Sequence, residues 1–129
     1  MKRTRLTYLC AILVLIPIGL LSRRIGWLPD ACGDALWSMM VFCCWRFVLV
    51  RSKLSVVAAT SLITAYAVEF SQLVKYDWLD RFRDTFVGHM MLGQGFLWTD
   101  LVADTAGIVI IFATASLIRK TNHEGLYSN

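Results

Sequence analysis

Charged side chains are scarce in this chain. Asp, Glu, Lys and Arg make up 17% of its 129 residues, and apolar residues make up 57%. Ordinary soluble domains are nearer a quarter charged and half apolar. The length allows one domain, and in water such a domain would have too little polar surface to cover its apolar side chains. In a bilayer the same excess faces lipid and needs no cover. The mean hydropathy of +0.60 agrees with that reading.

Other absences narrow the chemistry. There is no CxxC and no Cys/His spacing of the kind that holds a metal. Cys10, Cys43 and Cys44 lie inside apolar runs and Cys32 in a polar loop, so the cysteines read as small packers. No nucleophile elbow, phosphate loop, zinc signature or serine–base spacing is present, and no cofactor or metal is expected. The net charge of +4 comes without a basic stripe interleaved with aromatics, which argues against nucleic acid. The first apolar run is preceded by Lys2, Arg3 and Arg5 but followed by Ser22-Arg23-Arg24, with no small-x-small cleavage site. That reads as an uncleaved signal anchor. Internal repeats and low-complexity tracts are absent.

What is present is a set of four apolar runs. They predict membrane-spanning helices over about 6–22, 34–50, 54–74 and 96–118, each near the roughly 20 residues that cross a hydrocarbon core. Pro17 lies in the first, where neighbouring helices can tolerate a kink. Between the third and fourth runs, Leu79, Phe82, Phe86 and Met90 recur at helical spacing, with Asp77, Asp80, Arg81, Asp84 and Gly88 on the other side. This predicts an amphipathic helix over about 77–92 at the interface, ended by Gly93 and Gly95; a re-entrant turn is the alternative. The expected fold is therefore all-α. It is one polytopic domain over residues 1–129, a four-transmembrane-helix bundle with an interfacial helix between helices 3 and 4.

Charge sets the expected orientation. With both ends in the cytoplasm, Lys2, Arg3, Arg5, Arg51, Lys53, Arg119 and Lys120 lie inside, close to helix ends, where the positive-inside rule weighs them most. Arg23, Arg24, Lys75, Arg81 and Arg83 lie outside, with Trp27, Trp78 and Trp98 as interfacial anchors.

The acids fall unevenly under this topology. Asp30, Asp34, Glu69, Asp77, Asp80, Asp84, Asp100 and Asp104 all lie on the outer side or in outer helix halves, and only Glu124 lies inside. Glu69 and Gln72, three apart, share a helix face, as do Asp100 and Asp104, four apart. Antiparallel helices put both pairs at similar depth, and Asp34 opens the second helix at the same level. An ionisable side chain at a helix centre costs at least about 2.5–3.5 kcal/mol on insertion scales. Several at one depth should face each other or water, which predicts a polar site of Asp34, Glu69, Gln72, Asp100 and Asp104. The plainer readings are that Asp34 and Asp100 are helix N-caps and that Glu69 and Asp104 are depth anchors. Arg81, Arg83 and His89 are candidate headgroup contacts, or else solvated. Arg46 reads as an arginine that snorkels to the cytoplasmic face.

The segments Gly33-Asp34-Ala35-Leu36-Trp37, Glu69-Phe70-Ser71-Gln72-Leu73 and Gly88-His89 through Gly93-Gln94-Gly95-Phe96-Leu97-Trp98-Thr99-Asp100-Leu101 resemble a family of small bacterial membrane proteins, domain of unknown function 2809. The resemblance covers about residues 19–118 and implies a bacterial inner-membrane protein. A weaker similarity is to VanZ-like proteins, whose pattern has Glu-x-x-Gln ending one helix and, on a later helix, Asp, then Asn four on and Gly three further. Glu69, Gln72, Asp100 and Gly107 match it, Asp104 stands where the Asn would be, and the connection from Gln72 to Asp100 is longer. VanZ is associated with resistance to a glycopeptide antibiotic, so that similarity implies envelope chemistry. The expected role is a binding or accessory protein for a membrane lipid or envelope-precursor headgroup. The alternatives are an intramembrane enzyme with Glu69 or Asp104 as general base, and a small transport or proton-relay component working as an oligomer.

Overall fold

Hydropathy and helix-forming side chains together decide how long each helix is. The computed structural model describes residues 1–26, 29–93 and 95–124. Trp27, named above as an anchor, Gln94 of the resembling segment and the last five residues lie outside them. Six helices follow in order: α1 Lys2–Ser22, α2 Asp30–Val48, α3 Leu54–Ser71, α4 Asp77–Arg83, α5 Phe86–Leu92 and α6 Trp98–Glu124. Four of them, α1, α2, α3 and α6, are long and apolar enough to cross a membrane. No strand occurs among the described residues. This is the all-α bundle of a multi-pass membrane protein.

Helices α1 and α6 run past their apolar cores at the end carrying Lys2, Arg3, Arg119 and Lys120. Lys and Arg are good helix formers and their long stems carry the charge toward water. Pro17 sits inside α1 without ending it.

Connections alternate up and down. Helix α2 packs on α1, α3 and α6, and α3 also packs on α6, so α2, α3 and α6 make the core and α1 leans on α2. The core cluster holds Phe42, Leu54, Val57, Ala65, Ile108 and Ala115, with Trp37, Trp45 and Phe112 packed around it. Gly107 sets the α2–α6 spacing: a Cβ there would strike the Ala35 carbonyl oxygen and Ser38 Oγ. Small residues permit such close approach between membrane helices. Polar pairs also tie the helices across the bundle, Trp45 Nε1 to Thr64 Oγ1 at 2.9 Å and Tyr66 Oη with Thr105 Oγ1 at 2.7 Å.

The segment expected as one amphipathic helix over 77–92 is two helices instead. Thr85 makes the break. Its hydroxyl donates to the Phe82 carbonyl at 2.7 Å and accepts from Gly88 N at 3.0 Å, ending α4 and capping α5. Gly88 lets the two meet, because a Cβ there would run into the Phe82 carbonyl. The apolar side chains Phe82 and Phe86 remain exposed, while Gly88 and Arg83 are buried.

Candidate functional site

At the end holding the α1–α2 turn, α4, α5 and the start of α6, here termed the acidic end, a cavity of about 340 Å³ opens between the helices. Asp34, Glu69, Gln72, His89 and Asp100 line it, together with Arg23 and Asp30. Its floor and its walls can each be traced to a local feature of the sequence.

The α1–α2 hairpin places an ion pair. Helix α1 ends at Ser22 and the short turn brings Arg23 over the first turns of α2. Gly33 leaves room for it, since a Cβ there would stand 3.2 Å from Arg23 Cγ and Nε. Arg23 Nη2 then donates to Asp34 Oδ1 at 3.1 Å. Asp34 is therefore a charge partner, and α2 starts a full turn before it at Asp30, with Pro29 at the N-cap. Sequence reasoning missed Arg23 and Asp30 as lining residues. The signal was present: a short turn between two spanning helices forces Arg23 toward Asp34, and Asp30 lies four residues before Asp34 on the same face.

Helix α3 supplies Glu69 and Gln72. Both side chains are 6% exposed. Gln72 closes the end of α3, and its Nε2 donates to the Leu92 carbonyl at 2.9 Å, fastening α5 to α3. Gly93 turns away beside it at φ +63°, a conformation that favours glycine. Among the described residues, Glu69 Oε2 and Gln72 Oε1 are buried acceptors with no hydrogen-bond partner. Buried polar atoms normally have one, and each that lacks it costs about 1–3 kcal/mol.

Helix α6 supplies Asp100 and Asp104. Asp100 lies in its first turn, half-buried, with Thr99 Oγ1 at 3.3 Å; the positive end of the helix dipole favours a carboxylate there. Asp104, one turn deeper, is fully buried, and neither of its oxygens has a partner. It does not line the cavity but sits behind it. Asp34, Glu69, Asp100 and Asp104 thus put four carboxyl groups at one end of the bundle. No hydrogen bond joins the four carboxylates among the described residues, so what they share is one volume and no bonded network.

The three candidate headgroup contacts separate. His89 is exposed and lines the cavity, and Arg81 is exposed outside it. Arg83 is turned inward and only 3% exposed. It donates to the carbonyls of Val74 (3.1 Å) and Ser71 and to Asp80 Oδ1 (3.0 Å). Arg83 thereby ties α4 to the last residue of α3 and to the turn after it, which is why it does not face headgroups. Arg46 likewise spends Nη1 on the Leu49 and Ser52 carbonyls at the opposite end, at 3.1 and 2.8 Å.

Residues 23–108, about two-thirds of the chain, match the family described as protein of unknown function (DUF2809). The chain belongs to this family. The match runs from Arg23 to Ile108 and so encloses every residue of the DUF2809 cavity, the ion pair and the α4–α5 cover. No solved structure matches the chain. Among the described residues no group of three or more His, Cys, Asp or Glu is arranged to hold a metal ion.

Proposed function

We propose that the acidic-end cavity receives the headgroup of a membrane lipid or of an envelope-precursor lipid, and that the protein serves as a binding or accessory component in a bacterial inner membrane. The observation that carries this reading is the pair of buried, unpartnered acceptors, Glu69 Oε2 and Gln72 Oε1, on a cavity of about 340 Å³. Acceptors without donors call for a ligand that brings donors: sugar or glycerol hydroxyls, or an ammonium. Arg23 offers the complementary contact for a phosphate at the cavity edge. The partial likeness of Glu69, Gln72, Asp100 and Gly107 to the VanZ-like pattern supports envelope chemistry. The basic residues near the ends of α1 and α6 support cytoplasmic termini, and with them a cavity that opens in the outer half of the bundle.

An enzyme is the second reading. Glu69 is the carboxylate that would act as a base on something bound in the cavity, and its burial on the cavity lining supports that reading. The transport reading has less support in the single chain. Below Asp104 the bundle is filled by Phe42, Val57 and Ile108, all buried.

The test is mass spectrometry of lipids retained after purification in mild detergent, comparing wild type with Glu69→Gln. A lipid with a donor-rich headgroup should be enriched on wild type and depleted on the variant. The same lipid profile on both, with both folded, would overturn the proposal.

A further inference from the structure

The opposite end of the bundle carries a second cavity, a groove of about 590 Å³ between α1, α2 and α6. Helices α1 and α6 do not pack on each other among the described residues, so the groove opens sideways toward lipid. Arg3 of α1, Arg46 of α2 and Arg119 of α6 all line it, and among the described residues no acidic side chain does. Deeper in, its wall is apolar, with Cys43, Ile111 and Ala115. Arg46 is the informative member. It commits Nη1 to two turn carbonyls and lies against the Tyr8 hydroxyl, and among the described residues its Nε has no hydrogen-bond partner. Three arginines on one groove, with only neutral side-chain acceptors beside them among the described residues, call for an anionic acceptor.

We infer that this groove binds an anionic phospholipid, its phosphate among Arg3, Arg46 and Arg119 and an acyl chain lying between α1 and α6. Charge complementarity selects this occupant. A second copy of the chain docking by the same end would bring arginines against arginines. A zwitterionic lipid would bring an ammonium into a site that holds three cations. The shape fits the same occupant, with cationic donors at the mouth and an apolar floor that opens to the bilayer. The site is separate from the acidic-end cavity and does not depend on what that cavity binds.

The test uses the full chain in nanodiscs of mixed phosphatidylglycerol and phosphatidylcholine, with retained lipid counted by native mass spectrometry. Wild type should retain phosphatidylglycerol over phosphatidylcholine. Each arginine near a membrane surface contributes about a fivefold preference for anionic lipid, so Arg3→Gln with Arg119→Gln should cut retention by more than about tenfold. Both residues are exposed, so folding should survive. Arg46→Gln should lower retention as well, with tryptophan fluorescence confirming that it is folded. Arg51→Gln with Lys53→Gln, at the same end but outside the groove, should leave retention unchanged. Equal losses in that control pair would reduce the effect to the general attraction of a basic end and overturn the site. So would equal retention of phosphatidylcholine, or displacement of the lipid by glycerol 3-phosphate, which carries the phosphate without the chains.

Discussion

Asp104→Asn should stabilise the protein while weakening what the cavity binds. The side chain is fully buried, and both carboxylate oxygens lack partners. A buried polar atom left unmade costs about 1–3 kcal/mol, more where charge is involved, and an aspartate at a helix centre costs about 2.5–3.5 kcal/mol on insertion scales. Asparagine keeps the shape, cannot ionise and brings an N–H donor in place of one carboxyl oxygen. The expected gain is about 1–3 kcal/mol, or several degrees in the unfolding midpoint. Thermal unfolding in mild detergent, followed by the fluorescence of the core residues Trp37 and Trp45, would measure it. Retention of the acidic-end lipid should fall in the same preparation, because functional sites commonly trade stability for activity. A lower midpoint in Asp104→Asn would refute the reasoning, since it would mean that the carboxylate makes a stabilising contact. A higher midpoint with unchanged lipid retention would leave Asp104 as a depth anchor only.

Three further outcomes follow from the packing. Gly88→Ala should drive its Cβ into the Phe82 carbonyl and force α4 and α5 apart at a cost of about 1–3 kcal/mol; faster proteolysis between residues 83 and 93 would report it, and wild-type resistance would count against the tight crossing. Arg83→Gln should lower the unfolding midpoint, because hydrogen bonds to a charged group contribute about 1.5–3 kcal/mol each and this guanidinium serves Ser71, Val74 and Asp80 together; a midpoint equal to wild type would show that the end of α3 does not need it. Reporter fusions at Ser22 and after Asn129 should report opposite sides of the membrane, and identical sides would remove the four-span topology.

The spans were legible because hydrocarbon length is a one-dimensional requirement that local hydropathy meets. That Glu69, Gln72 and Asp100 line one cavity was legible for a similar reason, since helical spacing and antiparallel direction fix depth without any knowledge of contacts, whereas Asp104, expected with them, lies outside the lining. The break at Thr85 was not. Leu79, Phe82, Phe86 and Met90 keep a helical period straight across it, so periodicity alone sees one helix. The competing signal was the threonine hydroxyl, which can replace a backbone partner at a helix start. Arg83 was misjudged for a different reason. Its carbonyl partners lie at the end of α3 and in the turn after it, nine to twelve residues earlier, and only tertiary structure brings the guanidinium to them. The Arg23–Asp34 pair lay between these cases, readable from the hairpin but not from either helix alone.

The two ends of the bundle carry opposite chemistry, and the material between them bears on what each can do. Among the described residues, buried acceptors without donors gather at the acidic end, and the cations Arg3, Arg46 and Arg119 gather at the other. Between them lie Phe42, Val57 and Ile108, with Ser38 and Ser61 as the buried hydroxyls at the same depth. Those hydroxyls cannot readily extend a polar path, since Ser38 donates to the Ala35 carbonyl at 2.9 Å and Ser61 to the Val57 carbonyl at 2.7 Å within their own helices. A proton or ion crossing from Asp104 toward Arg46 would have to wet a layer in which Gly107 already brings α2 and α6 to close contact. Opening that layer would separate the helices that hold the Arg23–Asp34 and Glu69 side of the cavity in place. The arrangement therefore keeps the chemistry of the two ends apart, with Gln72 fastening α5 to α3 at the acidic end through the Leu92 carbonyl.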